Sequence, residues 1–465
     1  MRAFPAFAIA AVLALPALPA PLLAATAPPV AGSPIQHVIV VIQENRSTDN
    51  LFASSVLANG GPYPGADVSQ TTTIDGKPVA LQPVAFQNPG DPGHNHAQLL
   101  AEWNGGKMDG FANDQTYTYG PFPTPAPGFP IAYVPADETT LYHLLAQRYA
   151  MADENFAPRL IPTFPSHVFL ITAQSQFSGN PTDQTNWGCD SKEGTTAALF
   201  GSGEEQKLPG IFPCVDNQTI GDLLDRAGVT WKYYTGAIGN LADAQINVYD
   251  AIKHIRYGLD WSRNISTPNS TILSDIANCD LPQVSYVTPT WLMSDHAGAM
   301  TGGGPGWVGS IYLAVTQSAL AKSPGCRYYA NTAVILVWDD SGGWYDHVAP
   351  PKGPDGTTWG FRIPIVAISP WARSTYDPAN PRAVPYVSHT VRESTAIVRF
   401  IEKNWALGDL GQRDASGDDL SDMFDYTRAQ PIPAISQLAM QRMIRRSGFT
   451  LAAAAHDIHA VDDDK

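Results

Sequence analysis

Four short, continuously apolar runs constrain the fold of this chain more than any other feature. HVIVVIQEN, QVSYVTP, AVILVWDD and IPIVAISP begin at residues 37, 283, 333 and 363. Because their apolar residues follow one another without polar alternation, both faces of each run are predicted to be buried, as in parallel strands. Segments with apolar residues three or four apart lie among them, which is the spacing of helices: ETTLYHLLAQRYAMADENF, TIGDLLDRAG and STAIVRFIEKNW. This alternation predicts an α/β domain with a mostly parallel central sheet sandwiched by helices.

The net charge and the composition of the loops limit the classes of function that this chain can have. The chain has 465 residues and a net charge of −15, with no lysine- or arginine-rich run. This charge argues against binding to nucleic acid or to an anionic membrane surface. Long loops rich in Gly, Pro and Asn, at Leu57–Gly93 and Asn104–Pro130, are predicted to cover a functional site.

The first 25 residues resemble a secretory signal peptide. One arginine precedes an Ala- and Leu-rich run, and small residues follow at Ala24 and Ala25. Prolines interrupt the run and no second apolar segment of spanning length occurs, so no stable membrane anchor is expected. We predict an exported protein, periplasmic or secreted. Its catalytic domain is predicted at residues 26–430, and a C-terminal helix and polar tail at 431–465.

Four cysteines are present, an even number that indicates two disulfides in an oxidising compartment. Three connectivities are possible. The order along the chain favours Cys189 with Cys214 and Cys279 with Cys326.

Polar side chains follow two of the predicted strands. The first run leads into Glu44 and Asn45, and the third into Asp339 and Asp340. If the two strands are parallel neighbours, these groups meet at the carboxyl end of the sheet, where α/β proteins bind ligands. Taken alone, either pair is typical of a helix cap or of a turn at the end of a strand. Together they predict an all-oxygen site for one hard divalent metal ion.

A candidate nucleophile is Thr163, in the segment APRLIPTFPSHVFLITAQ. A hydroxyl beside a metal ion loses a proton more readily and can attack an electrophilic centre. Without such an ion, Thr163 is an ordinary loop threonine.

Five motifs carry a resemblance to a known family: ENRSTDNLF, NGGKMDGF, TFPSH, SDHAG and WDDSGGWYDHVAPP. In this order they resemble the bacterial phospholipase C/acid phosphatase family, whose core is similar to alkaline phosphatase. The similarity extends from about Gln36 to Trp405. It implies that the four groups after the strands are metal ligands and that Thr163 becomes transiently phosphorylated. Ser166 stands where the family usually has Asn, and it is a reserve nucleophile beside His167.

The resemblance also implies roles for histidines. His94, with His96 as a close rival, His254 and His296 are expected to bind phosphate oxygens or to protonate the leaving alcohol. His347 is expected either to hydrogen-bond its own turn or to orient Asp339.

These observations favour a metal-dependent phosphoester hydrolase, and first of all an acid phosphatase that cleaves phosphomonoesters through a phosphothreonine. The alternative is a phospholipase C that cleaves the head groups of phospholipids. An alternative of another class is a secreted binding protein that has lost catalysis. The sequence leaves the metal, the natural substrate and the oligomeric state open.

Overall fold

A computed structural model describes residues 26–53, 71–74, 77–183, 185–201, 206–239, 243, 245–299, 302–377, 379–380, 383–432, 440 and 444. The predicted signal peptide lies outside the described residues, as does almost all of the predicted C-terminal helix and tail.

An eight-stranded sheet forms the centre of the described chain, in the order β4-β3-β5-β1-β6-β7-β2-β8. All neighbouring pairs are parallel except those that involve β7. The sheet is therefore mostly parallel, as predicted. Its strands are β1 His37–Gln43, β2 Ala150–Ala152, β3 Trp231–Tyr234, β4 Ile265–Ser266, β5 Val284–Val287, β6 Thr332–Trp338, β7 Ile365–Ile368 and β8 Val387–Ser388.

The IPIVAISP run departs from the prediction, because it forms the antiparallel strand β7. A parallel neighbour requires a crossover that is usually helical. The segment between β6 and β7 contains no helix, so the chain returns along β6 in the opposite direction. A strand inside a covered sheet is buried on both faces whether it is parallel or antiparallel. For this reason the apolar pattern did not distinguish the two directions.

Eleven α-helices occur within the described residues and cover the sheet. The three helical patterns correspond to α3, α5 and α10, but α3 ends at Arg148, and the following residues pair as β2 with β7 and β8. The helices are α1 Thr48–Phe52, α2 His96–Trp103, α3 Thr140–Arg148, α4 Thr163–Thr172, α5 Ile220–Ala227, α6 Lys253–Arg256, α7 Leu259–Asn264, α8 Thr271–Asn278, α9 Gly303–Ser318, α10 Ala396–Trp405 and α11 Gln412–Ser416.

Smaller elements surround this core. A three-stranded antiparallel sheet contains Phe177–Pro181, Ala197–Phe200 and Gln206–Ile211. Four two-stranded pairs join Thr71–Ile74 to Lys77–Ala80, Gln82–Pro83 to Ala132–Tyr133, Gly90–Pro92 to Thr116–Thr118, and Asn155–Phe156 to Arg392–Glu393. Short 3₁₀ helices occur at Asn104–Gly106, Phe111–Asn113, Val248–Ala251, Trp291–Met293, Pro324–Cys326, Tyr329–Asn331 and Ser421–Met423.

The centre of the sheet is apolar and fixes the register on which the site depends. The five residues from Val38 to Ile42 on β1 are all 0% exposed. On β6, Trp338 lies opposite Gln43 of β1, so the two strands end at the same level. The groups that follow each strand therefore meet at one edge of the sheet.

Both predicted disulfides are confirmed. Cys189 bonds Cys214 and Cys279 bonds Cys326, across sequence separations of 25 and 47 residues. Over the described part of the chain, no helix is both long and apolar enough to span a membrane.

Replacing both Cys189 and Cys214 with serine should lower the free energy of unfolding by about 3 to 4 kcal/mol, because the unfolded chain is no longer constrained by a closed loop. Urea unfolding followed by circular dichroism measures this change. The Cys279/Cys326 double serine variant, which removes the disulfide that closes the longer loop, serves for comparison. Equal stability of the first variant and the wild type would contradict the pairing.

Candidate active site

The carboxyl ends of β1 and β6 bring the predicted polar pairs into contact. The Asn45 backbone N–H donates to Asp339 Oδ1 at 3.0 Å, and the Arg46 N–H donates to the Asp340 carbonyl at 3.1 Å. Asn45 has a φ of 59°, a left-handed conformation that asparagine tolerates better than most residues. The turn after β1 is thus held against the turn after β6.

Helix α4 packs against the residues that follow β1 and β6. Thr163 is its first residue, and His167 lies four positions later on the same face. His167 Nε2 is 2.9 Å from Glu44 Oε1 and 3.6 Å from Asp339 Oδ2. All three side chains are buried. One helix therefore delivers both the candidate nucleophile and a group that contacts two predicted ligands.

The electrostatics of this cluster fit a bound cation. Burial, and then the charge of Glu44, raise the pKa of Asp339 to about 7. Burial lowers the pKa of His167, although Asp339 opposes this effect. Two buried carboxyl groups close to an imidazole nitrogen are groups that could hold a divalent metal ion.

One group of possible metal ligands includes a residue that was not predicted as a ligand. Ligand atoms of Glu44, His167 and Asp339 all lie within 4.8 Å of one another. Asp340 is not part of this group, and its Oδ1 accepts the N–H of Gly342 at 2.7 Å. His167, expected only as a reserve residue, places a ring nitrogen beside the two carboxyl groups. Its spacing of four residues from Thr163 was the sequence signal for this position.

A hydrogen-bonded chain links Thr163 to His94. The Thr163 hydroxyl lies 3.5 Å from Asn45 Oδ1, and Asn45 Nδ2 lies 2.7 Å from His94 Nε2. His94 Nδ1 donates to the Pro92 carbonyl at 2.8 Å, because a carbonyl only accepts. His94 Nε2 is then the acceptor for the Asn45 amide, which orients the amide oxygen toward Thr163.

His296 lies at the edge of the same site. Its ring centroid is 5.7 Å from that of His94 and 4.9 Å from that of Trp291. Together with Glu44, Trp291 and His296 line a pocket of about 290 Å³. Tyr119, from one of the predicted covering loops, packs on Trp291 with centroids 5.7 Å apart.

A buried polar network holds the His296 loop. Asp295 accepts hydrogen bonds from the Tyr142 hydroxyl and the Trp338 indole N–H, both at 2.9 Å. The Arg46 Nε donates to the Asp295 carbonyl at 2.8 Å. Burial raises the pKa of Asp295 to about 7, although Tyr142 and Arg46 lower it. The SDHAG segment is thereby attached to the ends of β1 and β6.

Two other histidines that were predicted site residues, His96 and His254, have different surroundings. His96 Nδ1 contacts the Leu160 carbonyl, and its ring packs edge-on against Phe200. His254 is not brought to the cluster: its ring nitrogens contact the carboxylates of Asp216 at 2.6 Å and Asp222 at 2.9 Å, at an open surface.

His347, expected either to hydrogen-bond its own turn or to orient Asp339, lies beside Asp49. Its Nδ1 is 2.8 Å from Asp49 Oδ2, and Asp49 also accepts from Arg362 at 3.0 Å. This pair fastens the turn after β6 to α1. Ser166 is buried on α4, and its hydroxyl has no hydrogen-bond partner among the described residues.

The carboxyl edge of the central sheet thus brings together carboxyl groups, an imidazole and a hydroxyl. The chain belongs to the phosphoesterase family, which matches residues 35–408. It is therefore a phosphoric ester hydrolase by family.

The curated relatives are named as phospholipases C. Phospholipase C A of Mycobacterium tuberculosis is 25% identical over 73% of this chain and 68% of its own length. Phospholipase C B of the same species is 24% identical over 88% of this chain and 81% of its own length. The hemolytic phospholipase C of Pseudomonas aeruginosa is 25% identical, with 85% of this chain matched to 56% of that protein. These names favour the phospholipase C alternative over the acid phosphatase expectation.

The Gly342 turn offers a test of the contact between β1 and β6. Gly342 has a φ of 60°, and a Cβ there would lie 2.5 Å from the Asn45 carbonyl oxygen. Gly342→Ala should displace Asn45 and lower phosphoesterase activity by about tenfold or more, because misplacing a reacting group by 1 Å is costly.

Gly356→Ala is the matched control, because Gly356 has a φ of 78° but nothing within 4 Å of its Cβ position. It should lose about 1 to 2 kcal/mol of stability and keep its activity. Activity is measured below the unfolding transition of each variant. Equal activity of the two variants would show that the contact with Asn45 does not matter.

Proposed function

We propose that this chain is an exported, metal-dependent phosphoester hydrolase of the phospholipase C type, with Thr163 as its nucleophile. The observation that carries the proposal is the common face of α4, on which the Thr163 hydroxyl contacts Asn45 while His167 contacts Glu44 and Asp339. A nucleophile and a cation site are thereby held on one rigid helix.

Glu44, Asp339 and His167 would hold the divalent ion, with Asn45 as a further oxygen donor. When bound, such an ion supplies charge neutralisation for phosphate oxygens and lowers the pKa of a neighbouring hydroxyl. In this proposal, Asp340 holds the turn after β6 by accepting the N–H of Gly342.

Thr163 lies at the first position of α4, whose positive end favours anions. In the proposed reaction, Thr163 Oγ1 forms a bond to phosphorus as the bond to the leaving alcohol breaks. Water then hydrolyses the phosphothreonine. The helix end favours both the developing alkoxide and the bound phosphate.

The two histidines receive different roles. His94 already holds Asn45 through Nε2, so we assign it to positioning that amide. His296 lines the pocket next to Trp291, where a leaving group would lie, and we assign it to protonation of the leaving oxygen. His254 has no role in this proposal.

The substrate assignment rests on the names of the relatives, which are phospholipases C.

Export and domain organisation complete the proposal. The leader-like residues 1–25 and the two disulfides support an oxidising compartment. We propose one catalytic domain over residues 26–430 with an alkaline phosphatase-like core. Its main support is the continuous apolar core that joins the sheet to the helices on it.

Thr163→Val removes the hydroxyl but keeps the branched shape, and it should reduce turnover by about a thousandfold or more because the covalent step is lost. Thr163→Ser restores a hydroxyl and should retain measurable turnover. Steady-state hydrolysis of p-nitrophenyl phosphorylcholine is the measurement. Ser166→Ala controls for a change in α4. Full activity of Thr163→Val would remove Thr163 from the mechanism.

Substrate class and metal dependence are tested together with p-nitrophenyl phosphorylcholine and p-nitrophenyl phosphate, each with and without a chelator. We expect faster cleavage of the choline diester, loss of activity after chelation, and recovery with added divalent ions. Faster cleavage of the monoester would restore the acid phosphatase assignment. Failure to cleave either compound with metal supplied would favour a secreted binding protein.

A further inference from the structure

Four side chains from separate parts of the chain contact one another at the edge of the pocket. They are Asp91, Tyr119, Trp291 and His296, which we call the Asp91 cluster. Asp91 lies in a short strand that begins at Gly90, and Tyr119 directly follows the strand that pairs with it. Trp291 and His296 lie in the segment after β5. Neither Asp91 nor Tyr119 has a role in the reaction proposed above.

The contacts of the Asp91 cluster form a closed path. The Tyr119 hydroxyl donates to Asp91 Oδ2 at 3.2 Å. The ring of Trp291 packs between those of Tyr119 and His296, with centroid distances of 5.7 and 4.9 Å. His296 Nδ1 lies 3.9 Å from Asp91 Oδ1. Each member of the cluster is therefore held by two others.

Backbone contacts attach the Asp91 cluster to residues 88–91. The Tyr119 N–H donates to the Pro89 carbonyl at 3.1 Å. The Gly298 N–H donates to the Asn88 carbonyl, also at 3.1 Å. Gly298 has a φ of 85°, and a side chain at this position would overlap the Tyr119 ring. One short segment thus holds both the covering loop that carries Tyr119 and the SDHAG segment.

Asp91 lies beside the Nδ1 edge of His296. Nδ1 also contacts the Ala297 carbonyl, so it carries a hydrogen, because a carbonyl only accepts. A carboxylate attracts this N–H edge and resists rotation of the imidazole. Asp91 is completely buried, and its charge is among those that oppose the burial-induced fall in the pKa of Arg46, so a buried cation lies near it. Nε2 is then the nitrogen of His296 that we assign to the leaving oxygen.

We propose that Asp91 and Tyr119 are positioning residues that hold His296 and Trp291 against the leaving group of the substrate. The inference rests on the proposed function, in which His296 protonates the leaving oxygen. The Nε2–H bond of His296 breaks as an O–H bond forms on the alcohol. Thr163 gives up its hydroxyl proton to solvent as it attacks. When water hydrolyses the phosphothreonine, Thr163 regains a proton and His296 takes one from that water.

Two soluble diesters that differ in their leaving group test the proposal: p-nitrophenyl phosphorylcholine and a short-chain phosphatidylcholine below its micelle concentration. Nitrophenolate is a weak base that leaves without a proton, whereas diacylglycerol leaves as an alcohol and needs one. We compare kcat/KM, which reports the steps up to departure of the leaving group. Asp91→Asn should lower it by about tenfold or more for the phosphatidylcholine and by less than about twofold for the nitrophenyl ester. Tyr119→Phe should show the same pattern with a smaller loss.

Two further variants make the test specific. Tyr117→Phe is the matched control, because the Tyr117 hydroxyl accepts from the Gln98 side chain at 3.4 Å and not from the Asp91 cluster. It should keep the wild-type ratio of the two kcat/KM values. His296→Gln should lower the phosphatidylcholine value by about a hundredfold or more. Asp91→Asn added to His296→Gln should cause no further loss, because both changes affect one proton transfer.

The outcomes separate this inference from the proposed function. Equal losses on the two diesters in Asp91→Asn would make Asp91 a structural residue and overturn the inference. A wild-type ratio in Asp91→Asn, together with a lowered ratio in His296→Gln, would overturn the inference and leave the role of His296 standing. A wild-type ratio in both variants would remove the proton donor and the inference together. Failure of the wild type to cleave either diester would contradict the proposed function and everything that rests on it.

Discussion

The repulsion between two buried carboxylates, Glu44 and Asp339, is the constraint on which the site depends. The register of β1 with β6 brings them together, with the Asn45 backbone N–H and His167 beside them. Together with burial, the same repulsion raises the pKa of Asp339. A folded chain keeps such an arrangement when a cation resolves it, so the central sheet and the proposed chemistry are two aspects of one geometry.

Rigid neighbours hold this unfavourable arrangement in place. The Gly342 turn allows the two strand ends to approach closely, and Asp295 ties the loop that carries His296 to Tyr142 and Trp338. Helix α4 is buried along its length, so it presents Thr163 without freedom to withdraw. These contacts are preorganisation: the groups are positioned before substrate arrives, which is how phosphoryl-transfer sites gain most of their rate.

Local patterns predicted much of this. Continuous apolar runs identified four of the sheet strands, and the polar pairs after two of them lie together where we propose the site. The patterns were less informative about the direction of each strand and about which side chains contact one another. Burial is the same for a parallel and an antiparallel strand, so β7 was misassigned in direction. The resemblance implied a role for His254 as for the other histidines, yet His254 contacts Asp216 and Asp222, because a resemblance does not specify which loops meet.

By itself, the sequence determined the class of fold, the disulfide pairs favoured by chain order, and the chemical groups available for a phosphoester site. Those properties follow from hydrophobic periodicity and residue chemistry, which are local. Tertiary structure alone decided that His167 converges with Glu44 and Asp339, and that His347 faces Asp49. Such choices depend on strand register and helix placement, where a shift of one residue turns a side chain to the opposite face.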